Sequence, residues 1–370
     1  MKIGILSLNP GSNYGGILQS YALKTVLERM GHDVYVISYN QFDHSFKYYK
    51  IPQYFKNIVR KLILKRSVAV FGDKKADQRF QNTFAMLLDF SSKHLNLRKV
   101  NRLKDIRPDE FEAIVVGSDQ VWRPRYFKSH FSAPISDAYL GFAEKWDIRR
   151  IAYAPSFGDD KWEYNSLETK KCSNLIKKFD AVSCREYSGV NLCKKHLGVE
   201  SELLCDPTIL LDSKDYESLA GISSSPSPGN LLVYCLDRNN ELDSLVERIA
   251  NENSLKPFST NVDETKDNTK KTSVEAWIRG FIDAEFVVTD SFHACVFSLI
   301  FRQRFVVLGN TSRGMGRFES LLKLFHQEKR LLYKASDYSN QIFNLPLNGV
   351  DDIFHSLKAE AMNYLTNNLR

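Results

Sequence analysis

The stretch Ile3-Gly4-Ile5-Leu6-Ser7-Leu8-Asn9-Pro10-Gly11-Ser12-Asn13-Tyr14-Gly15-Gly16 decides the fold. Residues 3–8 read as a short apolar strand, and a glycine loop follows. An apolar-patterned helix runs over 17–30 and stops at Gly31, and the next strand covers 34–38. Strand, glycine loop, helix and strand make one βαβ unit, which implies a parallel sheet. Further buried strands at 113–116, 151–154, 181–184 and 202–204 extend it into a Rossmann-like domain within residues 1–222. The run Ser223-Ser224-Ser225-Pro226-Ser227-Pro228-Gly229 has linker composition. The pattern then restarts over 229–370, with strands at 231–236, 286–289 and 305–308. Helices are predicted at 241–253, 274–281, 315–325 and 350–369. The predicted fold class is α/β, two Rossmann-like domains facing a cleft.

Bulk composition narrows the function. With 370 residues and 43% hydrophobic content the chain can bury two cores. A formal net charge of +7 suits anionic small molecules or an anionic membrane surface, and lacks the dense basic stripe of a nucleic-acid protein. None of the six cysteines forms a Cys-x-x-Cys, so neither a disulfide framework nor a structural zinc site is expected, and a reducing cytoplasm is the default. No stretch has the roughly 18 apolar residues of a spanning helix. The N-terminus runs straight into the glycine loop and does not read as a signal peptide.

Candidate chemistry sits at strand ends, where open α/β sheets bind ligands. In Thr289-Asp290-Ser291-Phe292-His293-Ala294 a buried strand stops and an apolar helix begins, with Asp290 or Ser291 as its N-cap and His293 in its first turn. A helix N-terminus attracts anions, and one imidazole beside it can transfer a proton to a phosphorylated substrate. Equally, His293 could be a satisfied core histidine. The 11–16 loop is neither Gly-x-Gly-x-x-Gly nor a P-loop. Gly15 and Gly16 either offer amides to a phosphate or allow tight strand–helix packing, and Asn13 and Gln19 could reach the cleft from here.

Gly117-Ser118-Asp119-Gln120-Val121-Trp122-Arg123 follows another buried strand. Asp119 could accept sugar hydroxyls or take a proton, Trp122 stack on a sugar ring and Arg123 pair with an anion, with Ser118 beside them. The alternative is an Asp cap with a packed Trp. Ser156 and the pair Arg185-Glu186 lie in two more such loops; Arg185 suits an anion, or forms a surface pair with Glu186. Arg313-Gly314-Met315-Gly316-Arg317 reads as an anion clamp or a solvated basic loop. Residues 44–72 carry seven Lys/Arg and no Asp or Glu, with Phe55, Ile58, Val59, Leu62 and Ile63 at helical spacing. Such a helix can lie on an anionic membrane, or dock on its own core.

Taken together, these segments resemble the polysaccharide pyruvyl transferase family. The resemblance runs in order through Asn13-Tyr14-Gly15-Gly16-Ile17-Leu18-Gln19, Gly117-Ser118-Asp119-Gln120-Val121-Trp122, Ala154-Pro155-Ser156-Phe157-Gly158, Arg185-Glu186, Asp206-Pro207-Thr208 and Thr289-Asp290-Ser291-Phe292-His293-Ala294. It implies a glycosyltransferase-B-like architecture. It also implies transfer of the pyruvyl group of phosphoenolpyruvate onto two hydroxyls of a sugar as a cyclic ketal, in bacterial surface polysaccharide biosynthesis. The acceptor would be linked to a nucleotide or a polyprenyl diphosphate, and the enzyme cytoplasmic, at the inner face of the membrane if that acceptor is lipid-linked. No metal or cofactor is called for. His293 resembles the family's essential histidine and Arg185 its anion-binding arginine. Many members carry an arginine two residues before that histidine; here the position is Ser291. Either Arg313 or Arg317 takes over anion binding, or the donor is held differently. The rivals are a glycosyltransferase with a sugar nucleotide donor and a non-catalytic sugar- or nucleotide-binding protein.

Overall fold

In the computed structural model, which describes residues 1–39, 72–221, 225–262, 269–309 and 315–370, β1 (Lys2–Leu6) is an interior strand of a seven-stranded sheet. Its neighbours are β2 (Asp33–Tyr39) and β4 (Ala113–Val116), both parallel to it. The full order is β3-β2-β1-β4-β5-β6-β7, with β3 at Leu97–Val100, β5 at Arg149–Ala152, β6 at Ala181–Cys184 and β7 at Glu202–Leu203. All four residues of β4 are buried, as a strand covered on both faces requires. The helix Tyr14–Arg29 crosses from β1 to β2 and ends at Gly31, whose φ of 90° is the left-handed turn that glycine adopts freely.

The second sheet has five parallel strands in the order β12-β11-β10-β8-β9: β8 at Leu231–Tyr234, β9 at Pro257–Phe258, β10 at Phe286–Thr289, β11 at Arg304–Leu308 and β12 at Leu331–Leu332. Strand order reverses between β1 and β4 in the first sheet and between β8 and β10 in the second. The crevice outside the carboxyl ends of the strands at such a reversal is where ligands bind in open α/β sheets. The loops after β1, β4, β8 and β10 all meet in one cleft.

Four expected strands stop early: the first ends at Leu6 rather than residue 8, β5 at Ala152 rather than 154, β7 at Leu203 rather than 204 and β8 at Tyr234 rather than 236. After β8 the amides of Leu236 and Asp237 turn away from the ladder and donate to the Asp290 carboxylate. Residues 44–71 of the basic stretch and residues 223–224 of the linker lie outside the described residues. Among the described residues no helix is long and apolar enough to cross a membrane.

The two sheets are joined by aromatic packing. Tyr14, the first residue of its helix, stacks on Trp277 with ring centroids 5.2 Å apart and planes 11° from parallel, and its hydroxyl donates to the Thr272 carbonyl at 2.8 Å. Tyr216 meets Phe297 edge-on at 4.8 Å. The terminal helix Val350–Asn368 returns to the first sheet, where the Tyr364 hydroxyl donates to the Ala152 carbonyl at 2.9 Å.

Candidate functional site

The first wall of the cleft begins at Asn13. Its side chain caps the Tyr14–Arg29 helix, accepting from the amides of Gly15 at 2.9 Å and Gly16 at 3.5 Å. Gly15 has no space for a side chain: a Cβ there would fall 2.1 Å from His293 Nδ1. A Cβ on Gly16 would meet nothing nearer than 3.8 Å. Gln19, expected to reach the cleft, lies one helical turn below Gly16 on the face that packs on β1. It is fully buried, and its amide donates to Ser7 Oγ, the Gly16 carbonyl and Ser20 Oγ.

At the end of β4, Asp119 has a φ of 65°, a conformation that short polar side chains tolerate. Its carbonyl accepts from the amides of Val121 and Ser156, each at 2.8 Å, and its side chain faces the cleft. The polar residues around it face elsewhere. Trp122 points into the core, stacked on Tyr139 at 4.9 Å, with Nε1 donating to the Ala138 carbonyl; it meets no ligand space. Arg123 is buried and donates to Glu163 and Gln120 rather than to the cleft. Ser156 Oγ accepts from the Gly158 amide. We expect Trp122→Ala to cost about 3–5 kcal/mol of stability, as aromatic deletions in cores do. Denaturant unfolding and steady-state kinetics on the folded fraction check this; a selective rise in acceptor KM without loss of stability would restore the stacking reading.

The opposite wall comes from the second sheet. Thr289 Oγ1 donates to the Tyr234 carbonyl at 2.6 Å and accepts from the Ser291 amide at 2.9 Å, which turns the chain sharply after β10. Ser291, not Asp290, is the N-cap of the Phe292–Ile300 helix. Asp290 instead anchors the loop after β8 through the amides of Leu236 and Asp237, at 2.6 and 2.9 Å. His293 follows in the first turn, 7% exposed, with a face of its ring against Gly15. Phe292 lies between two guanidiniums, Arg185 at 4.4 Å and Arg317 at 5.7 Å from its ring centre.

Behind these residues a carboxylate joins the two walls. Asp206, just beyond β7, accepts from Arg185 Nη1 at 2.6 Å, Ser118 Oγ at 3.2 Å, and Thr208 N and Oγ1 at 3.0 and 2.7 Å. His293 Nε2 lies 3.6 Å from its Oδ2. Burial pushes this carboxyl up, but His293, Arg185 and Thr208 together outweigh burial and hold it well below the usual carboxylate range. In Glu186 burial wins and the carboxyl is raised, although Arg185 opposes it. Burial, then the neighbouring Arg185, brings Arg317 down to about 10, so it stays cationic at neutral pH.

Asn13, Gly16, Asp119, Asp290, Ser291, His293 and Arg317 share a cavity of about 220 Å³. It opens into a wider cleft of about 1050 Å³, reached past Tyr126, Tyr234 and Leu236 and lined further out by Arg238, Asn261 and Lys271. Arg185, Glu186 and Ser118 sit one layer behind the cavity wall, and Arg313 lies outside the described residues. Sequence reasoning did not single out Asp206 as a site residue, because Asp-Pro-Thr after a short strand is also the signature of an ordinary cap, and Asp206 does cap the Pro207–Leu210 turn. His130 was also missed. It lines the cavity with Nδ1 accepting from the Asn9 amide at 3.1 Å, and burial favours its neutral form.

Comparison with known proteins agrees with this architecture. The sequence profile described as polysaccharide pyruvyl transferase matches residues 13–312. No curated protein matches the chain. Among solved structures the chain is similar to Arabidopsis thaliana UGT89C1 complexed with UDP-L-rhamnose, at a TM-score of 0.50 and 8% identity, covering 98% of this chain and 94% of that one. It is also similar to UDP-GlcNAc 2-epimerase from Neisseria meningitidis bound to UDP-GlcNAc, at 0.46 and 10%, with 98% and 94% covered. At 8% identity the likeness to UGT89C1 concerns the fold alone, two parallel-sheet domains of the glycosyltransferase-B type.

Proposed function

The chain belongs to the polysaccharide pyruvyl transferase family, and within it we propose a phosphoenolpyruvate-dependent enzyme that builds a cyclic ketal on two hydroxyls of a sugar, in bacterial surface polysaccharide synthesis. The observation that carries this reading is the meeting of His293, Arg317 and Asp119 on one small cavity between two opposed strand-order reversals.

The chemistry needs three things there. The donor's phosphate and carboxylate need positive charge. Arg317 offers it beside the N-terminus of the Phe292–Ile300 helix, which carries no acidic residue in its first turn. Arg317 would thus stand in for the arginine that many members place where this chain has Ser291. The enol carbon C3 needs a proton, and the His293 imidazole is the group placed to give one. Protonation leaves a cationic, oxocarbenium-like C2. A sugar hydroxyl attacks it as Asp119 takes the hydroxyl proton. Phosphate then leaves with the electrons of its C2–O bond, and the second hydroxyl attacks C2, loses its proton and closes the ring. Donor plus diol gives ketal plus phosphate, with no oxidant or reductant.

The decisive assay measures phosphate release from phosphoenolpyruvate with lipid- and nucleotide-linked hexoses, followed by mass spectrometry of the acceptor. The acceptor should gain pyruvate less water, and His293→Gln should lower the rate by about 10²–10⁴-fold, the usual worth of a general acid. Turnover of a sugar nucleotide with phosphoenolpyruvate untouched would instead make the protein a glycosyltransferase.

A further inference from the structure

We propose that Asp206 is the positioning residue for His293: a carboxylate delivered by the first sheet that orients the imidazole delivered by the second, so that a competent proton donor exists only when the two halves are closed together. The inference rests on His293 acting as the proton donor.

The geometry divides the labour of the carboxylate between its two oxygens. Oδ1 takes Thr208 N and Oγ1, which is a local cap and nothing more. Oδ2 takes Arg185 Nη1 and Ser118 Oγ and faces His293 Nε2 at 3.6 Å. That distance is a few tenths of an ångström beyond hydrogen-bond length. Nε2 is buried and has no hydrogen-bond partner among the described residues. A proton on Nε2 held towards Asp206 leaves Nδ1 as the exchanging nitrogen, and the lack of a side chain at Gly15 lets the ring lie with one face against the Tyr14–Arg29 helix in the place where Nε2 meets Asp206. The remaining charged groups around the ring come from every wall: Asp119 after β4, Arg185 and Glu186 after β6, Arg317 on the Gly316–Leu324 helix, and Asp290 on its own segment. Of these and Asp206, only Asp206 lies within ion-pair distance of the imidazole among the described residues.

An anion at this place favours the imidazolium. Removing its charge disfavours it, so the pH at which His293 loses its proton must fall. Two readouts test this on the full-length protein. In Asp206→Asn, the basic limb of the kcat profile with phosphoenolpyruvate is expected to move to lower pH by about one unit or more, the usual effect of an opposite charge at this range. The NMR titration midpoint of the His293 ring, read without substrate, should move the same way. Thr208→Val, which removes only the hydroxyl donor to Oδ1, should lower stability and leave both midpoints in place. Ser118→Ala removes a competing donor from Oδ2 and should move both midpoints upward, which decides the matter if Asp206→Asn does not fold. Unmoved His293 midpoints in folded Asp206→Asn, or in Ser118→Ala where it must serve, overturn the inference. An NMR shift without any phosphoenolpyruvate turnover keeps it and overturns the reaction instead.

Discussion

Gly15→Ala is expected to lower kcat with phosphoenolpyruvate by about 10²-fold or more, the scale on which a misplacement of about 1 Å at a reacting group is felt. The added methyl would sit 2.1 Å from His293 Nδ1 and 2.2 Å from its Cγ, closer than any non-bonded contact. Either the ring swings out, which draws Nε2 off Asp206, or the helix backs away and opens the cleft wall that holds the ring. Overpacking of this kind costs about 1–3 kcal/mol, so the variant should fold. Gly16→Ala is the comparison: its methyl would meet nothing nearer than Asp119 Oδ2 at 3.8 Å and would leave His293 in place, so it should cost less than Gly15→Ala, even though it narrows the cavity. Phosphate release by the two variants side by side checks the pair. A fully active Gly15→Ala would mean that His293 can leave its place without consequence, and with it would go the assignment of the imidazole as acid.

The reason for a glycine at position 15 illustrates what the sequence could and could not convey. Gly15 and His293 belong to different sheets, and no local pattern reports that they touch. What local pattern does report is the central strands. Residues 113–116 are apolar throughout and 286–289 are apolar up to Thr289, with every residue of both strands buried, and both were placed to the residue. Of the four edge strands only β7 was expected: Leu97-Arg98-Lys99-Val100, for one, mixes charge with apolar residues and pairs on one side only. The turn after β10 was legible because strand, Asp-Ser and apolar helix form one continuous signal, which brought His293, Asp290 and Ser291 to the cleft. The cluster after β4 was only half legible. Its position at a strand end was right and put Asp119 on the cavity, but a loop sequence does not say which way each side chain points. Trp122 and Arg123 turn inward because Tyr139, Glu163 and the Ala138 carbonyl, all remote in sequence, offer them partners. Asp206 hid for the converse reason, since its local role as a cap accounts for the motif completely and its second oxygen acts across the cleft.

Arg185→Met is expected to be the most destabilising single change at the site. Arg185 and Asp206 are both buried, 2.6 Å apart. Removing one member of a buried pair leaves the other charged and unmatched, at about 3–5 kcal/mol. Adding Asp206→Asn to Arg185→Met should recover part of that loss, because the double variant no longer buries a lone charge. The pH dependence has a definite sign. The Asp206 carboxyl lies well below its unfolded value of about 3.9 in the folded protein, so its stabilisation is complete above that pH and is lost as pH falls through the folded value. In Arg185→Met the carboxyl rises from that low value, with His293 and Thr208 still opposing burial, and protonating it relieves part of the strain. The gap between variant and parent should therefore be widest near neutral pH and narrow as the pH is lowered into the range where the variant's Asp206 takes up its proton. Urea midpoints of the parent, the single and the double variant across that range measure it. A gap that stays constant with pH, or a double variant no more stable than Arg185→Met, would show that Arg185 stabilises the protein through Phe292 and the surrounding packing rather than through Asp206.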